Sequence, residues 1–220
     1  MMPADEVRRD AEDLQRLSRD ILAVLEERAT GIWSALPGIE DTFYEGCYCL
    51  CAVQNPAVRT VRAVGWLRDS DAFGRLGRGA DLRDEIACGI RELVRFHNVK
   101  AGRIVRFREG VAATHALLAA GKEGTLRLRD RLAREVDGFG MKEASHFMRN
   151  VGFRGLAILD KHVVRRMAEL GLLESPEAPL SPRAYREAER EMLGYAEALG
   201  ATVDELDVLW WSRGSGGFGR

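Results

Sequence analysis

Along the first 25 residues, apolar side chains return at three- and four-residue steps: Val7, Ala11, Leu14, Leu17, Ile21 and Leu25, with charged residues between them. That spacing is the signature of an amphipathic helix with one buried face, and Gly31 and the Pro37-Gly38 pair are expected to end it. From Phe43 to Val53 the chain is almost uncharged, which predicts a helix buried all round. Asn55-Pro56 reads as its stop, and Pro56 suits the start of a following helix over Ala57 to Leu67. Gly74, Gly77 and Gly79 mark a loop; helical periodicity resumes over Leu82 to Phe96 and over Gly102 to Leu118. Gly121 and Gly124 then punctuate the chain before a segment from Leu126 to Arg134. No alternating run is long enough for a sheet, and no internal repeat or low-complexity tract stands out. The pattern predicts an all-α fold.

Composition narrows this picture without redirecting it. With 46% hydrophobic and 30% charged residues in 220, the chain reads as a globular protein. Its apolar runs fall far short of the roughly 18 residues that a membrane span needs, so no membrane partner is expected. The opening MMPADEVRRDAEDL is polar and acidic, unlike a secretory signal. Four cysteines, three of them as Cys47-x-Cys49-x-Cys51, do not resemble a disulfide framework, and a reducing, cytoplasmic setting fits them best. On a helix those three thiols would point to different faces, so buried packing is expected rather than a metal site. His97, His115, His146 and His162 show no paired metal spacing either, and no metal or cofactor is expected.

Charge changes the picture through its distribution. The formal net charge is −1, yet residues 1–45 carry −6, residues 59–108 carry +6, residues 121–166 carry +5 and residues 167–220 carry −5. A basic middle between acidic ends is what a local phosphate-binding face would produce; solvated surface charge would produce it too.

The most informative stretch is VDGFGMKEASHFM, from Val136 to Met148. It joins one helical segment to another over Glu143 to Asn150, which Gly152 can end. Gly138 and Gly140 around Phe139 predict a tight turn whose backbone N–H groups point outward beside a helix N-terminus, a natural seat for a phosphate. Lys142 falls in the first helical turn, where the dipole disfavours a cation. It is either a solvated or phosphate-contacting lysine or an amine nucleophile beside a bound DNA backbone. In GLAILDKHVVRRM (155–167), Asp160 ends an apolar run and opens a helix. Capping alone would explain it; a carboxylate held near developing positive charge is the other use.

These residues resemble the helix-hairpin-helix DNA glycosylase superfamily, and within it the archaeal-type, second-class 8-oxoguanine DNA glycosylase/AP lyases. The resemblance rests on VDGFGMKEASHFMRNVG (136–152), AILDKHVVR (157–165), the lysine-to-aspartate spacing and LDVLWW (206–211), with weaker similarity over CYCLCAVQN (47–55) and VRFHNVKAGRIV (94–105). It implies two helical subdomains flanking a DNA-binding cleft. Residues 46–152 would be a helical barrel carrying the helix-hairpin-helix at about 126–150, and residues 1–45 with 153–220 the second subdomain.

The same resemblance places the nucleophile on Lys142, the essential carboxylate on Asp160 and DNA contacts on Gly138, Phe139 and Gly140. Gln54, Trp210, Trp211 and Arg220 become candidates for recognising the base; Arg220 stands where such enzymes typically end in lysine, and a planar fork is not a point charge. The partner implied is double-stranded DNA carrying an oxidised base, handled by a monomer among the intracellular nucleoid. Superfamily members with an iron–sulfur cluster carry four cysteines after the aspartate, whereas this chain has none after Cys88. A glycosylase for another oxidised base, or a hairpin protein that binds DNA without chemistry, are the alternatives. Lys142 together with Asp160 separates the last from the others, since a scaffold needs neither.

Overall fold

A computed structural model describes residues 3–29, 36–74, 80–121, 124–179 and 181–215, and among them the chain is helical with no strand. In chain order the helices are α1 (Ala4–Arg16), α2 (Ser18–Ala29), α3 (Ile39–Ala52), α4 (Ala57–Asp69), α5 (Ala80–Gly89), α6 (His97–Ala120), α7 (Thr125–Glu135), α8 (Met141–Asn150), α9 (Lys161–Glu169), α10 (Pro182–Ala198) and α11 (Val203–Ser215). They fall into two compact units: residues 35–151 form a central unit, and residues 1–34 with 152–219 form a terminal one. The expected boundary at residue 46 therefore moves towards the N-terminus. The cause is α3, which starts at Ile39 and already buries Thr42, Phe43 and Tyr44 in the central unit.

In the central unit α3 lies against α4, α6 and α8. Its uncharged stretch behaves as the pattern predicts, with Phe43, Cys47, Leu50 and Cys51 almost wholly buried. Gly46 is required there, because a Cβ at that position would lie 2.0 Å from the Phe107 ring of α6. Phe107 in turn meets Phe43 at 6.2 Å, Phe139 at 5.7 Å and Phe147 at 5.9 Å between ring centroids. One aromatic core thus runs from the middle of the unit to the hairpin.

Three boundaries differ from the sequence expectation. The single opening helix is two, α1 and α2, divided at Leu17, where φ is −98° and ψ is 10°. The helix expected over Leu82 to Phe96 stops at Gly89; Phe96 then takes a left-handed φ of 58°, and α6 begins at His97 rather than at Gly102. Gly102 and Gly110 do not break α6, since Ile104, Phe107, Val111 and Leu118 bury one face of it and packing outweighs propensity.

The terminal unit builds its core from Ile21 of α2, Val163, Val164 and Met167 of α9, Met192 of α10, and Leu206, Leu209 and Trp210 of α11. Among the described residues no helix is long and apolar enough to cross a membrane.

Candidate active site

The hairpin between α7 and α8 follows from three local facts. The Phe139 N–H donates to the Val136 carbonyl at 3.0 Å, closing a tight turn over Asp137 and Gly138. Gly138 has φ of +92°, and a Cβ there would meet Arg103 at 2.5 Å and Leu50 at 2.8 Å, so only glycine fits. Asp137 accepts from Arg106 Nε at 2.7 Å, which ties the turn to α6. Behind it, the fully buried Arg129 of α7 donates to Ser145 of α8 at 3.0 Å and to Asp130 at 2.8 Å.

Lys142 sits in the first turn of α8, its side chain 27% exposed. Its Nζ lies 3.3 Å from Glu143 Oε1, while Glu143 Oε2 accepts from the Gly140 N–H at 3.2 Å. The carboxylate thereby caps α8 and holds the ammonium at once. Cys49 of α3 is enclosed beside this corner. Burial pushes its thiol well above the ordinary range, Glu45 adds to that, and Lys142 pulls the other way. Cys47 rises for the same first reason, and Cys51 is pushed up to about 12, so all three are inert thiols in a packed interior. The Tyr48 and His146 rings meet edge to face at 5.6 Å, and Asn150 donates to Glu45 at 3.1 Å. Lys142 therefore stands on a stiff surface made by two helices.

Asp160, in the terminal unit, is the N-cap of α9. Its Oδ1 accepts from His162 N at 2.8 Å and Val163 N at 2.9 Å. Both cap bonds fall on one oxygen, so capping and chemistry are compatible uses of the same carboxylate. The segment Leu156 to Leu159 that leads to it is buried, and side chains of α10 bond several of its backbone groups. Glu189 accepts from Ala157 N at 3.2 Å, and the Tyr185 hydroxyl donates to Ala157 O at 2.8 Å and lies 3.3 Å from Leu159 N, which donates to it. Gly155 N donates to Asp204 at 2.8 Å.

A family model described as 8-oxoguanine DNA glycosylase matches residues 33–201. The chain belongs to this family. An 8-oxoguanine DNA glycosylase/AP lyase of Fusobacterium nucleatum is 30% identical over 182 residues, 80% of this chain and 81% of that protein. The crystal structure of the 8-oxoguanine DNA glycosylase of Thermotoga maritima superposes with a TM-score of 0.83 at 27% identity, covering 98% of this chain and 99% of that one. The Methanocaldococcus jannaschii 8-oxoguanine glycosylase/lyase, solved with a 15mer DNA containing 8-oxoguanine, gives a TM-score of 0.82 at 26% identity, covering 96% and 98%.

Within this 8-oxoguanine DNA glycosylase fold, two of the expected contact residues have buried side chains. Phe139 is 5% exposed and packs on Phe107 and Phe147, so its ring anchors the hairpin from inside and its N–H is taken by the turn. Trp210 is 2% exposed; its Nε1 donates to Asp10 at 3.1 Å and its ring lies 5.7 Å from Tyr195. The indole at this position is part of the packed core of the terminal unit. Trp211 is half-buried. Gln54 is exposed in a left-handed conformation, φ 52°, just beyond α3. Arg220 lies outside the described residues.

Sequence reasoning missed the groups that hold these positions. Lys100, within the basic stretch, is buried and donates to the carbonyls of Cys51 at 2.8 Å and Val53 at 2.7 Å, capping the end of α3 before Gln54. Burial draws its pKa below the ordinary lysine value, and Arg103 and Arg95 act in the same direction against Cys51. Asn55 pins the same corner by donating to Thr60 at 3.1 Å and to Leu93 O at 3.2 Å. No local signal marks the pairings of Lys100 with α3 or of Asn55 with Leu93, because those partners lie dozens of residues apart.

Proposed function

We propose that this chain excises 8-oxoguanine from double-stranded DNA and cleaves the strand at the abasic site it creates. The target nucleotide must leave the stack before its C1′ can be reached. The neutral Lys142 amine attacks C1′, the bond to the base nitrogen breaks with its electron pair, and the base departs after gaining a proton. Loss of a proton from nitrogen and opening of the sugar ring give a Schiff base; removal of a C2′ proton then expels the 3′ phosphate in β-elimination. The Asp160 carboxylate stabilises positive charge on the sugar as the base leaves.

The observation that carries this reading is Lys142 itself. It is a partly exposed amine in the first turn of the hairpin's second helix, on a rigid aromatic support, in a family whose members are named for this activity. Attack needs the free amine, which exclusion of water by the docked DNA favours and the neighbouring Glu143 carboxylate, 3.3 Å away, opposes. Gln54, Trp211 and Arg220 remain the candidates for reading the base. A monomer working in the cytoplasm among nucleoid DNA is consistent with this chemistry.

Single-turnover excision on duplexes carrying 8-oxoguanine, oxidised pyrimidines or undamaged guanine tests the proposal, with borohydride added to trap the Schiff base. Fastest release and trapping on 8-oxoguanine is expected. Preference for an oxidised pyrimidine would reassign the substrate, and binding without release or trapping would make the protein a non-catalytic hairpin protein.

A further inference from the structure

Asp160 is held by more than its own helix. Within the terminal unit, Asp10 of α1 is fully buried, and its carboxylate accepts from the Tyr195 hydroxyl at 2.9 Å, Trp210 Nε1 at 3.1 Å, Arg166 at 2.8 Å and Arg213. Arg213 also donates to Asp13 at 2.6 Å and to the Arg9 carbonyl at 3.4 Å. Arg166 also donates to Glu6 at 2.7 Å and Arg16 pairs with Asp13, so carboxylates of α1 and guanidiniums of α1, α9 and α11 form one ionic knot beside the last turn of α11. Fixing one arrangement is the best-attested use of such buried ionic groups.

The next residue, Gly214, touches α9. A Cβ on Gly214 would lie 2.5 Å from His162 Nδ1, 2.7 Å from Cγ and 2.8 Å from Cβ. The last of these is attached to the α9 backbone, so turning the imidazole away does not relieve the contact. His162 is also the residue whose N–H donates to Asp160 Oδ1 at 2.8 Å. A glycine inside a helix is unfavourable unless something must come close. Here the first turn of α9 does.

We infer that Gly214 and Arg213 are positioning residues for Asp160. The knot with Asp10 and Asp13 sets the end of α11, Gly214 lets that end seat directly on His162, and the seat fixes the first turn of α9. The cap bonds then stay on Oδ1, and the carboxylate keeps one orientation. This rests on the reading of Asp160 as the carboxylate that stabilises charge on the sugar.

The test uses full-length enzyme carrying Gly214→Ala, Gly214→Val, Arg213→Met, Asp160→Asn, and the pair Gly214→Val with His162→Gly, which removes all three crowding atoms. Displacing a catalytic group by about 1 Å costs on the order of 10²-fold in rate. Gly214→Val is therefore expected to slow single-turnover release of 8-oxoguanine by about that factor, and Gly214→Ala and Arg213→Met by less. Affinity for the lesion duplex and borohydride trapping on a pre-formed abasic site should hold near wild type, because neither requires the base to depart. The pair should recover most of the excision rate, a rescue that general destabilisation would not give. Wild-type excision by Gly214→Val, or loss of excision, binding and trapping together without rescue, would overturn the inference. Wild-type excision by Asp160→Asn would instead overturn the reading beneath it.

Discussion

The two candidate reactive groups are supported by opposite kinds of interior. Lys142 stands on a hydrophobic one: Phe43, Phe107, Phe139 and Phe147 pack in a chain of rings, and the turn in front of them is set by glycine sterics. Asp160 stands on a polar one: a buried segment whose backbone is bonded by Tyr185 and Glu189, beside a knot of Asp10, Arg166 and Arg213. Apolar packing is non-directional and indifferent to pH but responds to volume. A buried polar network fixes direction, and it suffers when one partner is lost. A nucleophile that must approach a sugar needs a firm platform; a carboxylate that must face developing charge needs an orientation. Each interior matches the task of the group it carries.

The largest effect expected is on chemistry in the hydrophobic half. Lys142→Gln should abolish both base release and strand nicking while damaged duplex still binds, and borohydride should no longer trap a covalent adduct. Trapping by the variant at the wild-type rate would remove Lys142 from the mechanism. Phe139→Ala should destabilise the protein by about 3–5 kcal/mol through the cavity it opens among the rings, measured by denaturant unfolding. A loss below about 1 kcal/mol would mean that the hairpin does not depend on its ring.

In the polar half, Asp160→Asn should leave the melting temperature close to wild type, since asparagine caps as well as aspartate. Base excision should nevertheless fall by about 10²–10³-fold, the usual cost of removing one preorganised electrostatic group. An unchanged excision rate would reduce Asp160 to a cap. The smallest effect concerns pH. The Arg16 guanidinium beside Asp13 holds its carboxyl below the usual range, partial burial opposes this, and Arg213 adds to the lowering. A carboxyl depressed in the folded state contributes stability above its ordinary pKa of about 3.9 and loses it as pH falls through the folded value. Asp13→Asn should therefore cost about 0.2–1 kcal/mol at pH 7 and nothing once both carboxyl values are passed in acid, as read from melting curves across pH 2–7. A constant difference at every pH would separate Asp13 from that dependence.

The sequence was more legible in the hydrophobic half than in the polar one. Periodicity identified most helices and the buried α3, and the two glycines with their lysine located the hairpin, because glycine at positive φ and apolar spacing are local properties. It did not show that Phe139 faces inward, since a ring between two glycines looks equally suited to either side. Nor did it reveal Asp10, Tyr185 or Glu189 as supports, because each acts on a segment far away in the chain. The left-handed turn at Phe96, between the packed helices α5 and α6, escaped for a related reason: nothing in a phenylalanine asks for a positive φ. The burial of Trp210 was not legible either, because an aromatic near the C-terminus signals stacking and core packing alike.

The enclosed cations have a consequence for how tightly the proposed duplex would be held as salt is added. Lys100, Arg129 and Arg149 all belong to the basic middle of the chain, yet all three are buried. Their charges cannot displace the condensed counterions of a phosphate backbone. Each phosphate neutralised contributes a slope of about −0.9 to log K against log salt for duplex DNA. The slope should therefore be shallower, by up to about 2.7, than a count of basic residues in this region implies.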